Sequence, residues 1–206
     1  MKTQPSYKVC RRLGAGVYDK CQTQKYMLSE ARHGKNVKGG RRRNISDFGK
    51  QLIEKQRVRF AYGITERQLR GYVEEANRVA VLGTDPIVRM IEQLEMRLDN
   101  VTYRLGLVAS RRAARQLVSH GHVMVNGKRV TIPSMQVKEG DVIALRARTQ
   151  GLPIIDKIKK QVEERTLPAW LSFDIKKLEG TVKARPTPET TEVPGSTGAI
   201  LEYYSR

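Results

Sequence analysis

Apolar residues recur at three- and four-residue spacing through most of the chain and switch to alternation only near residues 123–145. Ser46-Asp47-Phe48-Gly49 opens a helical stretch running to Arg59, with a narrow apolar stripe at 48, 52 and 53. Ile64-Thr65 opens a second helix, with Thr65 as its cap and Leu69, Tyr72, Val73 and Ala76 along it. Thr84-Asp85-Pro86 starts a third, since proline is pre-organised for a first helical turn. Its buried face is Ile87, Met90, Ile91, Leu94 and Leu98, a stripe that belongs to a core. Leu98, Val101 and Leu105 mark a shorter helix ending at Gly106. Ser110 caps the next, where Ala113, Ala114, Leu117 and Val118 share a face and Gly121 fits the left-handed stop. Val123 and Val125 then alternate as in a half-buried strand, Asn126-Gly127 signals a hairpin, and Val142 to Leu145 form another strand after Gly140-Asp141. Residues 151–167 read as a charged helix with apolar positions 154, 155, 158 and 162. The lone Trp170 reads as a core anchor, 186–198 as loop, and 200–206 as a short aromatic strand.

Charge changes this picture from a fold to a function class. The 206 residues carry a net charge of +18, a self-repulsion that a polyanion relieves. Nucleic acid is the partner this favours over an anionic membrane surface. No run of 18 apolar residues is present, and Met1-Lys2-Thr3-Gln4-Pro5 lacks the apolar stretch of a signal peptide. Two cysteines do not make a secreted disulfide scaffold, so a soluble, cytoplasmic protein is expected. The excess is uneven: residues 1–60 carry +12, 61–96 carry −2, 97–150 carry +7 and 151–206 carry +1. Two basic blocks imply two contact surfaces. Residues 1–45, with Lys38-Gly39-Gly40-Arg41-Arg42-Arg43, read as a flexible arm that orders on RNA.

The candidate contacts follow from this placement. Arg111 and Arg115 share a helical face, Arg112 adjoins them, and Lys128 and Arg129 leave the hairpin turn. His120 and His122 sit at the helix end as hydrogen-bonding candidates. In the first block the candidates are Arg41, Arg42, Arg43, Lys50, Lys55, Arg57 and Arg59. Such groups neutralise phosphates and position the protein, while duplex RNA is read by shape and 2′-hydroxyls.

The order of helix cap, basic residues, glycine stop and Asn-Gly hairpin resembles the S4 RNA-binding domain over roughly residues 97–147. Beyond it, the whole chain resembles the bacterial ribosomal protein S-four family. The resemblance rests on Cys10-Arg11-Arg12-Leu13-Gly14, on Gln51 to Gln56 with Tyr62 to Gln68, and on Arg97-Leu98-Asp99-Asn100-Val101 with Tyr103-Arg104-Leu105-Gly106. It extends to Trp170-Leu171, Glu179-Gly180 and the terminal Glu202-Tyr203-Tyr204-Ser205-Arg206. It implies an α+β fold: a mostly helical basic region with an arm, then a two-helix and twisted-sheet RNA-binding module, then a tail that packs back on the helical part. The divisions expected are an arm (1–45), a helical region (46–96) packing with 165–206, the module (97–160) and an extension (161–206). It further implies binding to small-subunit rRNA at a helix junction of the 5′ domain, early in assembly, and contact with the small-subunit proteins S-five and S-three. A part in the mRNA entry channel and in decoding accuracy belongs to the same implication.

Many members of the family carry four zinc-binding cysteines near the N-terminus. Here Cys10 and Cys21 remain, Tyr7 and Tyr26 take the other two positions, and His33 is one further donor. Zinc needs four N or S ligands, so no cofactor is expected and the cysteines read as buried thiols. RNA pseudouridine synthases also join an S4-type module to an Arg-Leu-Asp motif, and Arg97-Leu98-Asp99 matches it. Only about 60 residues follow the module, too few for that catalytic domain or a tyrosyl-tRNA synthetase. Asp99 then reads as a surface or capping residue, and the chain as no enzyme. A free-standing factor built on the same module is the competing class.

Overall fold

A computed structural model describes residues 6–34, 45–147, 166–175 and 177–205. Its helices are α1 (Tyr7–Leu13), α2 (Gln24–Gly34), α3 (Asp47–Ala61), α4 (Glu66–Ala80), α5 (Pro86–Glu95), α6 (Leu98–Arg104), α7 (Arg111–Ser119) and α8 (Thr197–Tyr204). Its strands are β1 (Val123–Val125), β2 (Lys128–Val130), β3 (Val142–Leu145), β4 (Leu171–Asp174) and β5 (Glu179–Val182). The fold is α+β. The chain divides into two compact units, 1–78 with 193–206, and 79–192. These cut across the four divisions drawn from the sequence.

In the second unit the antiparallel sheet runs β2-β1-β3-β5-β4. Its core is Leu98, Val101, Leu105 and Leu107 from around α6, Val118 from α7, alternate strand residues Val123, Val125, Ile143 and Leu145, and Trp170. Strand alternation puts exactly one face of β1 and β3 inward, which is why a period-two pattern appeared only there. Trp170 is the expected anchor, 1% exposed. The α5 stripe ends earlier than its periodicity suggests. Arg97 is extended, bridges Gln136, and hands Leu98 to a separate helix. Gly180 passes against Leu105, where an added Cβ would sit 2.6 Å from a methyl group, so the β5 crossing requires glycine.

In the first unit the expected arm is largely helical. Residues 7–34 form α1, two 3₁₀ turns and α2 around a small core of Cys10, Cys21 and Tyr26, with Tyr7 and Tyr18 against it. Aromatic packing supplies over 7–34 the apolar anchors that a count of aliphatic residues missed. Cys10 and Cys21 are not two thiols but a disulfide. The segment with Arg41, Arg42 and Arg43 lies outside the described residues, as does the charged helix expected over 151–167, save for its last two positions.

The C-terminal extension divides between the units. Residues 171–182 complete the sheet, and 197–204 pack on α3. The terminal segment is helical rather than a strand: Ser196 caps it, accepting from Ala199 N–H at 3.3 Å. Its Tyr203 ring stacks on Phe48 and the Tyr204 hydroxyl donates to Glu66.

Candidate RNA interface

Three local devices build the module surface. Ser110 Oγ accepts from Ala113 N–H at 3.2 Å and starts α7. Gly121 ends it at φ +73°. Asn126 and Gly127 both take positive φ, 49° and 76°, as a two-residue hairpin demands. Asn126 does more than turn. Its side-chain oxygen accepts from Val142 N–H at 2.9 Å and its amide donates to Asp141 at 2.8 Å, clipping the hairpin tip to β3.

Most of the module candidates are exposed on α7 and the hairpin that follows it. Arg112 is exposed on α7, and Lys128 and Arg129 are exposed on β2. The Arg129 guanidinium lies against Gly121, where any Cβ would collide with it, so the hairpin and the end of α7 meet at glycine. His120 is exposed, with its ring 6.2 Å from that of His122. Arg146, which sequence reasoning did not single out, is exposed just after β3, and its backbone N–H donates to the His122 carbonyl. No sequence period marks Arg146. Strand register alone puts it beside the histidine.

Arg111 and Arg115 are held differently. Arg115 donates through Nε and Nη2 to Asp99 Oδ2, at 3.1 and 2.8 Å, and its side chain is 28% exposed. Arg111 donates through Nε to Asn100 Oδ1 at 2.7 Å and stacks its guanidinium 4.6 Å above Tyr103. Asp99 is therefore neither at the surface nor a cap. It is buried and also bound by buried Arg97 at 2.9 and 3.1 Å. An aspartate enclosed by two guanidiniums is not placed to attack a base.

Of the described candidates in the first basic block, Lys55, Arg57 and Arg59 are tied inward. Lys50 is exposed and pairs with Asp47 at 2.9 Å, one helical turn away. Lys55 is not a surface cation. It is 5% exposed, its ammonium lies 2.6 Å from Glu66, and the Tyr203 ring covers it at 4.1 Å. The helical period misled here, because the most buried face of α3 runs through Gln51, Lys55 and Val58, while Leu52 and Ile53 stay half-buried and Phe48 is exposed. Arg57 donates to the Leu13 carbonyl at 2.6 Å and to Glu54 at 2.7 Å, and Arg59 pairs with Glu66 at 3.0 Å. Burial pushes the Glu66 carboxyl up, but hydrogen bonds from Lys55, Tyr204 and Arg59 outweigh it and hold the group below its usual value. Burial and the bond to Glu66 push the Tyr204 phenol well above its own. Besides Lys50, the exposed cations of this block among the described residues are Lys8, Arg11, Arg12, Lys20, Lys25 and Arg32.

The residues around Cys10 do not fit a zinc site. The two sulfurs are bonded to each other, and Tyr7 and Tyr26 beside them, whose rings meet edge-on at 5.4 Å, supply no thiolate or imidazole ligand. The side chain of His33 lies outside the described ones.

Comparison with known proteins agrees with this geometry. Residues 96–143 match the family model described as S4 domain, and residues 1–103 match that described as Ribosomal protein S4/S9 N-terminal domain. The chain is 41% identical over 207 residues to Small ribosomal subunit protein uS4 of Desulforamulus reducens, covering 99% of this chain and 98% of that one. It is 42% identical over 207 residues to the protein of the same name from Citrifermentans bemidjiense, with the same coverage. It is also 42% identical over 208 residues to Small ribosomal subunit protein uS4A of Clostridium botulinum, again at 99% and 98%. A capped basic helix, a glycine stop and a clipped hairpin thus sit within a full-length likeness, and the chain belongs to the uS4 family of small ribosomal subunit proteins, whose members are structural and not enzymes.

Proposed function

We propose that this chain is a structural constituent of the small ribosomal subunit and a primary binder of small-subunit rRNA at a helix junction of the 5′ domain. There it nucleates folding of the junction, meets S-five and S-three, and contributes to the mRNA entry channel and to decoding accuracy. The observation that supports this best is that α7 and the hairpin carry Arg112, Lys128, Arg129 and His120 exposed and Arg115 held by Asp99, with Arg129 lying against the Gly121 that ends the helix. Cations fixed on rigid elements suit recognition of RNA by shape, because they hold a spacing that a folded phosphate backbone must match. This reading assigns no zinc, since Cys10 and Cys21 are joined to each other and pack with Tyr7, Tyr18 and Tyr26.

High-salt sucrose-gradient fractionation of cell lysate tests the assignment. Stoichiometric presence in the small-subunit peak is expected, while a chain near the top of the gradient means a free RNA-binding factor. Filter binding to a 5′-domain rRNA transcript tests the surface. Arg112→Gln is expected to reduce the slope of log affinity against log salt by about one.

A further inference from the structure

The two inner arginines of α7 rest on the Glu95–Arg104 stretch, and the charges there balance in an informative way. Asp99 contacts Arg115, but buried Arg97 already neutralises Asp99, so the trio keeps one net positive charge. Asn100 contacts Arg111 and is neutral. Its amide donates to Glu95 Oε2 at 2.8 Å and to the Glu95 carbonyl at 3.0 Å, and Glu95 is neutralised by Arg104 at 2.8 and 3.0 Å. A surface arginine bound by a lone carboxylate loses most of its pull on a phosphate. These two arginines are each oriented by a polar group, while a second arginine cancels the acid behind it.

We propose that Asp99 and Asn100 are positioning residues for RNA binding, fixing Arg115 and Arg111 on the α7 surface while Arg97 and Arg104 leave them their charge. The fork of Arg115 is locked through two donors on one carboxylate oxygen, and the Arg111 plane through a hydrogen bond and the Tyr103 ring. Ordering a free arginine on a phosphate costs rotamer entropy, and here that ordering is done on folding. The geometry depends on guanidinium planarity, which an ammonium cannot reproduce. The proposal rests on reading α7 as the RNA face.

Affinity for the 5′-domain transcript, with its salt slope, separates charge from geometry. Arg115→Lys keeps the charge and loses the fork. It is expected to bind about tenfold more weakly, close to Arg115→Gln, with the wild-type salt slope. In a double-variant cycle, Asp99→Asn with Arg115→Lys is expected to bind no more weakly than Asp99→Asn alone, because both remove one constraint. Arg115→Lys binding like wild type, or losses that multiply in the double variant, would overturn the proposal. Should Asp99→Asn not fold, the lysine and glutamine variants decide alone. If Arg112→Gln and Arg115→Gln both bind as wild type does, the reading of α7 as the RNA face fails, and positioning fails with it.

Discussion

The unit of residues 79–192 and the unit of residues 6–78 with 193–205 solve stability by different means. The former has an aliphatic core under a five-stranded sheet, with Leu98, Leu105, Leu107, Ile143 and Leu145 at most 2% exposed. The latter has a disulfide among tyrosines and a buried ammonium under an aromatic lid. Hydrophobic burial is non-directional and tolerates small shifts, whereas a buried ion pair stabilises only with its partners in place. The aliphatic unit holds buried ion pairs as well, Arg97–Asp99 and Glu95–Arg104, but sets them beside a large apolar core. The other unit is the one that holds the disulfide and rests part of its packing on the Lys55–Glu66 pair.

Trp170 belongs to the first of these cores and is the chain's sole tryptophan, so its fluorescence reports that unit while far-UV circular dichroism is weighted toward the helical one. The largest effect expected is from Leu105→Ala, a cavity beneath β5 that costs about 3–4 kcal/mol in urea unfolding followed by Trp170. An equal shift in the helical signal would mean that the two units unfold as one. Reduction of Cys10–Cys21, which closes a loop between residues 11 apart, should cost up to about 3 kcal/mol and move the helical signal alone. A fluorescence midpoint that moves as far would erase the contrast. Lys55→Met should destabilise the helical unit by about 2 kcal/mol, less than for a fully buried pair because Glu66 is 42% exposed. It should leave the salt slope of RNA binding at its wild-type value, and a drop of about one would make Lys55 a phosphate contact after all.

The smallest effect concerns acid. The Glu66 carboxyl titrates below its ordinary 4.5 in the folded chain, so its contribution is fully present above pH 4.5 and is lost as pH falls through the folded value. Glu66→Gln should remove this part of the acid sensitivity of the helical unit and leave that of the Trp170 signal unchanged. Identical acid profiles for variant and wild type would show that Glu66 gains nothing from Lys55 and Tyr204.

What the chain determined by itself was whatever depends on neighbours in sequence. The Ser110 cap, the stop at Gly121, the Asn126-Gly127 turn and the alternation of Val123 and Val125 are all local, because backbone dihedrals and one-turn hydrogen bonds fix them. With the charge blocks they were enough to read an RNA-binding module. Tertiary structure decided what each charge is for. Lys55 and Arg115 look alike in the sequence, yet one is sealed against Glu66 and Tyr203 and the other is aimed from α7 by Asp99. The same holds for the terminal tyrosines, which become a helix because Phe48, Lys55 and Glu66 receive them, and for Cys10 and Cys21, which meet because α1 and the second 3₁₀ turn pack together. A charge takes its role from its partners and its exposure to water, and those are set by residues far away in the chain.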